Sequence, residues 1–188
     1  MLDTGWTIRR RTPSPLRGAL AGLAGGLAAS WVMNQFQAAV PASTFQRLLG
    51  ETDEHEEGGS DSQESQQQEG AEPATVKAAE AVSEAALDHE LTDDEKAWAG
   101  PAVHYSLGAS VGTLYGVLAE AEPRVTAGAG LPFGTVFWLT ADEGAVPALG
   151  LSGPPWEHPP STHLYAFASH LVFGLTTEAV RRLVRHLL

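Results

Sequence analysis

The sequence predicts an all-α integral membrane protein, a four-helix bundle with a long, acidic, partly disordered loop outside the membrane. Four stretches of the 188-residue chain carry no charged residue: 18–46, 97–119, 125–141 and 158–177. A membrane span needs about 20 mostly apolar residues, and these stretches meet or approach that length. Glycines recur at four-residue steps in several of them, and arginines flank the first and the last.

The points where charge returns divide the chain into alternating membrane and loop segments. We expect an N-terminal arm (1–15), membrane helix 1 (16–40), an acidic outer loop (41–100), membrane helix 2 (101–121), membrane helix 3 (128–148), a proline-rich outer turn (149–160) and membrane helix 4 (161–183) with a basic end to 188. The first run could instead be a secretory signal, but it exceeds the usual apolar core of about 7–15 residues. A buried helical core of a soluble protein is the other alternative, although several such runs are unusual in a chain this small.

Arginines at both ends of the chain predict its orientation. Three precede the first span in the arm, with Arg17 close behind, and Arg181, Arg182 and Arg185 follow the last span. Positive charge beside a span favours the cytoplasmic side. Both termini are therefore expected in the cytoplasm, and the loop between helices 1 and 2 outside.

The outer loop carries most of the acidic residues behind the net charge of −12. Its first part, 51–70, is so polar that we expect it to be disordered. Residues 75–88 place apolar side chains on one helical face, which predicts a short amphipathic helix on the membrane surface or against the bundle. Thr92 and Glu95 have the spacing of a capping box that starts a helical turn leading into helix 2.

Small residues at four-residue steps predict close helix packing, because association in lipid depends on backbones approaching one another. The glycines expected at such crossings are Gly22, Gly26, Gly108, Gly112, Gly116 and Gly134. The row from His104 to Glu120 rises about 24 Å, so those two residues are not expected to share a site.

Four titratable residues are predicted to converge on a polar pocket in the outer half of the bundle: His104, Asp142, His163 and His170. With helix 2 beginning at residue 101, His104 should lie near its outer end and His170 about 10 Å deeper. Histidine changes charge near neutral pH, so the pocket could respond to protons, and the same side chains could hold a divalent cation. Ordinary interhelical hydrogen bonds are the alternative, and since no metal-ligand spacing is present we predict no metal site.

At the inner end, the sequence predicts a structural ion-pair clasp. Glu178 precedes Arg181 and Arg182 by three and four residues, the spacing of helical ion pairs, and Glu120 ends helix 2 nearby. Trp98 and Trp156 are expected as aromatic anchors at the outer membrane interface.

Three segments resemble a known family. "HYSLGASVGTLYGVLAEAEP", "PALGLSGPPWEHP" and "SHLVFGLTTEAVRR" are similar to the YagU-like family of small bacterial inner-membrane proteins, which has no established activity. The resemblance is loose over 18–31 and good over 99–185, and it implies a multi-span inner-membrane protein. Matching residues are His104, Gly112, Tyr115, Glu120, Pro123, Pro147, Gly150, Leu151, Pro155, His170, Glu178, Arg181 and Arg182. Asp142 departs from the pattern, since some relatives have histidine there.

These observations favour a non-enzymatic membrane protein whose His/Asp pocket responds to protons or a cation. A structural or partner-binding bundle that associates through its glycine ridges is the alternative, with a homo-oligomer or another membrane protein as partner. A cofactor-holding enzyme, for example with haem between His104 and His170, is less favoured, and the sequence identifies no cofactor. The chain has no cysteine, which excludes thiolate metal sites, and its basic residues are too scattered for nucleic-acid binding.

Overall fold

The computed structural model describes residues 13–51 and 72–188. These residues form helices and connecting turns without a β-strand, so the predicted all-α class is confirmed. The main helices are α1 (Pro15–Ala39), α4 (Asp93–Ala121), α5 (Leu131–Thr140) and α7 (Pro160–Leu187). Shorter helices are α2 (Ser43–Leu49), α3 (Ala74–Leu87) and α6 (Val146–Ala148). The arm through residue 12 and nearly all of the acidic stretch predicted to be disordered lie outside the described residues.

A membrane-spanning four-helix bundle was predicted, and the helices themselves support it only in part. Among the described helices, α1 alone is long and apolar enough to cross a membrane by length and composition. A signal sequence or a core helix would meet the same criterion. The confirmed statement is therefore an all-helical protein with one candidate span.

Helix α4 begins at Asp93, because Thr92 and Glu95 form the predicted capping box in full. The Thr92 backbone N–H donates to Glu95 Oε2 at 2.8 Å, and the Glu95 N–H donates to Thr92 Oγ1 at 3.4 Å. The hydrogen bonds from the backbone and side chain of Thr92 lower the pKa of Glu95 from 4.5 to about 2. The helix then runs without a break through Pro101, so helix 2 starts two turns before its predicted boundary.

Helices α1 and α4 are antiparallel and pack through facing glycines. Gly22 lies against the backbone of Gly112 and Gly116, and Gly26 against that of Gly108 and Gly112. A methyl group on most of these glycines would overlap a backbone atom of the opposite helix, and one on Gly108 would overlap the Ser30 hydroxyl oxygen. The small-residue rows therefore allow backbone-to-backbone contact, the arrangement that close helix crossing requires.

Helix α7 lies antiparallel to both α1 and α5. Gly25 of α1 contacts the backbone of Thr177, and Gly134 of α5 contacts that of His170. Phe173 is buried at the centre with Ala29 and Met33, and Phe133 and Phe137 pack against this cluster. We call the end of the bundle at which α7 begins the upper end, and the end at which α7 finishes the lower end.

The predicted amphipathic helix is α3, and it lies against α4. Val76 reaches the position where Gly100 would carry a side chain. Lys96 of α4 forms ion pairs with Glu72 at 3.0 Å and Glu80 at 2.5 Å. These two carboxylates raise the pKa of Lys96 above its ordinary value, so charge pairing fixes α3 on the upper end of α4.

Two irregular segments, one across the start of the predicted helix 3 (128–148) and one inside it, were not anticipated. A 3-10 turn, Pro123–Gly130, precedes α5 and ends with Gly130 at a φ of 90°, where the chain passes close to the Gly174 backbone. A π-helical turn, Ala141–Ala145, then joins α5 to α6. Helix 3 therefore starts three residues later than predicted. At its acidic residues it contains one wider, π-helical turn.

Candidate functional site

The π-helical turn presents two consecutive carboxylates to α7. Asp142 Oδ2 lies 3.5 Å from His170 Nδ1, and Glu143 Oε1 lies 2.6 Å from His163 Nδ1. The two histidines are seven residues apart, two turns along one face of α7. The turn thus forms two His–carboxylate pairs, stacked along the helix, and π-helical turns are frequent at functional sites.

His170 is the deeper of the two histidines and is 5% exposed. Its Nδ1–H donates to the Ala166 carbonyl at 2.9 Å while also facing Asp142, and Phe137 packs edge-on against its ring at 5.0 Å. An ionisable side chain in such apolar surroundings is costly and is typical of a functional position when the surroundings are a membrane.

His104 approaches His170 from α4. Its ring hydrogen-bonds to the backbone of Ser30 and interacts electrostatically with His170. Within the described residues, its buried Nε2 has no hydrogen-bond partner, and neither does Ser30 Oγ beside Gly108. The expected depth difference of about 10 Å between the two histidines is absent, because α4 begins at Asp93 and so places His104 three turns from its end.

The structure therefore divides the four predicted pocket residues into two groups. His170 lies beside Asp142, and His104 approaches His170 from α4; we call these three residues the His170 group. His163 is paired with Glu143 instead, and its Nε2 lies 2.9 Å from the Pro155 carbonyl oxygen of the proline-rich turn. Glu143 was not among the predicted pocket residues; its position next to Asp142 in an otherwise apolar stretch was the available signal.

Nothing in the described part of the chain brings three His, Asp or Glu side chains into position to share a metal ion. Each pair instead places one imidazole beside one carboxylate, at 2.6 Å in His163–Glu143 and 3.5 Å in His170–Asp142.

A second charged cluster surrounds Glu178 in the lower half of the bundle. Glu178 is 1% exposed. Its carboxylate accepts hydrogen bonds from Arg181 Nε at 2.6 Å, Arg181 Nη2 at 2.9 Å, the Tyr115 hydroxyl at 3.0 Å and Arg182 Nε. Every lone-pair direction of this carboxylate is thus directed toward a donor, as burial of a charge requires.

Glu120, the other acid of the predicted clasp, is paired with Arg185 rather than with Arg181 or Arg182. Its Oε2 also accepts a hydrogen bond from the Ser14 backbone N–H at 2.8 Å, which ties the start of α1 to the end of α4. The predicted clasp residues therefore take part in two neighbouring ion-pair groups. Arg185 was missed, although it follows Arg181 by one helical turn on the same face.

Aromatic rings separate the two charged regions. Tyr115 stacks on Phe133 at 4.2 Å, and Phe133 and Phe137 pack against Phe173 at 6.1 and 5.2 Å. This layer lies between the His170 group above and Glu178 below.

The fold and these clusters define a class: an all-helical protein with titratable side chains inside the bundle at two levels and one candidate membrane span among the described helices. The chain belongs to the family described as "Protein of unknown function (DUF1440)", whose model matches residues 69–179, more than half of the chain. That region covers α3 to α6 and most of α7. No curated protein and no solved structure matches the chain.

Proposed function

We propose that this is a multi-span, non-enzymatic protein of the bacterial inner membrane whose His/Asp site near the outer face responds to protons or a cation. The finer YagU-like assignment is part of this proposal. The upper end faces outward and both termini lie in the cytoplasm, because the arginines at the lower end favour the cytoplasmic side.

One observation carries the membrane part: large apolar side chains point outward and polar ones inward. The exposed face of α1 is a stripe of Leu16, Leu20, Leu23, Leu27 and Trp31, and α4, α5 and α7 also expose leucines. The buried face of α7 instead holds His170, Thr177, Glu178, Arg181 and Arg185. Water would disfavour this arrangement on both counts, whereas hydrocarbon around the bundle satisfies it.

The responsive site is the His170 group. Buried His170 and half-buried Asp142 form a pair whose net charge changes when one proton binds or leaves, and His104 lies close enough to His170 to be affected by that change. In a low-dielectric interior the electrostatic energy of such a change is large. It can therefore alter helix packing near the π-helical turn.

The alternative, self-association through glycine ridges, is less well supported. The glycine rows of α1 and α4 already pack against each other, and Gly134 of α5 already packs against α7. A partner would have to use the exposed leucine faces. Lipid is the occupant that the composition of those faces favours.

Proteoliposomes test the proposal. We expect His170→Ala and Asp142→Ala to insert normally but to lose the dependence of proton or cation flux on external pH. His186→Ala is the matched control, because that histidine is exposed at the far end of α7. If both site variants equal the parent protein in flux and in bound metal, the responsive site is refuted and a structural role is favoured.

A further inference from the structure

The contacts of His163 determine how many protons its site holds. Nδ1 lies 2.6 Å from a carboxylate oxygen of Glu143, and Nε2 lies 2.9 Å from the carbonyl oxygen of Pro155. A peptide carbonyl only accepts hydrogen bonds, so Nε2 must carry a hydrogen. A hydrogen must also lie between Nδ1 and Glu143 at that separation, whether it resides on nitrogen or on oxygen.

A neutral imidazole has a single N–H, so it cannot make both contacts to an ionised Glu143. The geometry therefore requires one proton more than a neutral ring and a free carboxylate provide. Without that proton, a nitrogen lone pair would face an acceptor oxygen at one of the two contacts. The two contacts can therefore coexist only while this proton is bound.

We propose that a proton bound by the His163–Glu143 pair locks the proline-rich turn (149–160) onto the upper end of the bundle. Loss of the proton as pH rises breaks one contact and releases the turn. The lock rests on the proposed function only in placing this turn outside the membrane, where external pH reaches it.

The other titratable groups around His163 leave this assignment intact. The His158 ring lies 6.4 Å from that of His163, and its Nε2 is within hydrogen-bond distance of the Gly153 carbonyl oxygen. Asp142 is directed at His170, Glu51 accepts from the Ser161 N–H at 3.3 Å, and Glu157 is exposed within the turn. Glu143 is thus the carboxylate in direct contact with His163.

The charge state can be measured on the full chain in nanodiscs with 15N-labelled histidine. At pH 7 we expect both ring nitrogens of His163, assigned with His163→Gln, to resonate as an imidazolium or as a strongly hydrogen-bonded shared-proton pair. Glu143→Gln should shift them to a neutral tautomer at the same pH. A neutral single tautomer of His163 in the parent protein at pH 7 would overturn the proposal.

Release of the turn has its own reporter, because Trp156 within it is 83% exposed. We expect the resonance of fluorine-labelled Trp156 to narrow in Glu143→Gln, and in the parent protein as pH rises. Glu157→Gln, which removes the other carboxylate nearby, should leave it unchanged. An unchanged width of the Trp156 resonance in Glu143→Gln would contradict the proposed lock. If His170→Ala and Asp142→Ala keep normal flux while the histidine and tryptophan resonances behave as expected, the proposed function is refuted and the proposed lock is still supported.

Discussion

At the scale of single residues, the carboxylate of Glu178 is almost fully buried and accepts four hydrogen bonds. Glu178 combines two guanidinium groups and a phenol around one buried charge. The ion pair with Arg181 and Arg182 follows from helical spacing and was predictable. The Tyr115 contact and the Glu120–Arg185 pair depend on how α4 is aligned along α7, which spacing within one helix does not determine. Glu143 escaped prediction for a similar reason, since a π-helical turn changes which neighbouring residues face the next helix.

Removing the Glu178 charge should destabilise the protein more than removing its hydroxyl partner, Tyr115. In Glu178→Gln, Arg181 stays buried without a counter-charge, and we expect a loss of about 3–5 kcal/mol in the free energy of unfolding. Tyr115→Phe removes one hydrogen bond and should cost about 1–3 kcal/mol. Denaturant unfolding in detergent measures both. Arg124→Gln, altering a side chain that is 92% exposed, is the control; equal effects of Glu178→Gln and Arg124→Gln would refute the importance of the cluster.

At the scale of elements, the helix positions were largely predictable because uncharged stretches and a capping box are visible in the sequence. Boundaries and irregularities were not. Pro101 suggested a helix start, yet the cap at Thr92 provides a stronger one and proline is tolerated inside α4. Helix α2 is short, and its ends carry no side-chain cap, so little in its sequence indicates it. The exact partner of each glycine also required the structure, although the rows themselves indicated close packing.

Gly112 tests the crossing of α1 and α4. A methyl group there would overlap the backbone of Gly22 and Gly26, and since backbone cannot rotate away, the helices must separate. We expect Gly112→Ala to cost about 1–3 kcal/mol as overpacking, measured as a lower melting temperature in detergent. Leu114→Ala, at an exposed position on the same helix, is the control. A melting temperature unchanged by Gly112→Ala would mean that the two helices do not rely on this contact.

At the scale of the whole molecule, the charge and apolar patterns point the same way. Acidic residues on α3 and at the start of α4 lie at the upper end, and arginines follow Glu178 toward the lower end. Between them the outward surface of α1, α4, α5 and α7 exposes many leucines. A bundle in water would bury those leucines and expose the charges. The sequence alone indicated the apolar stretches but not that each would turn its leucines away from its neighbours.

Tryptophan depth measurements address this pattern directly. Trp31 lies on the outward stripe of α1, eight residues before its end at Ala39, or about 12 Å along the axis; Trp156 lies in the turn beyond α6. In nanodiscs containing lipids brominated along their acyl chains, we expect a variant retaining only Trp31 to be strongly quenched. A variant retaining only Trp156 should be weakly quenched, because the proposed topology places the turn outside the hydrocarbon. Equal quenching, or water-like emission from Trp31, would contradict the proposed membrane location, since a lipid-facing stripe must place that indole among acyl chains.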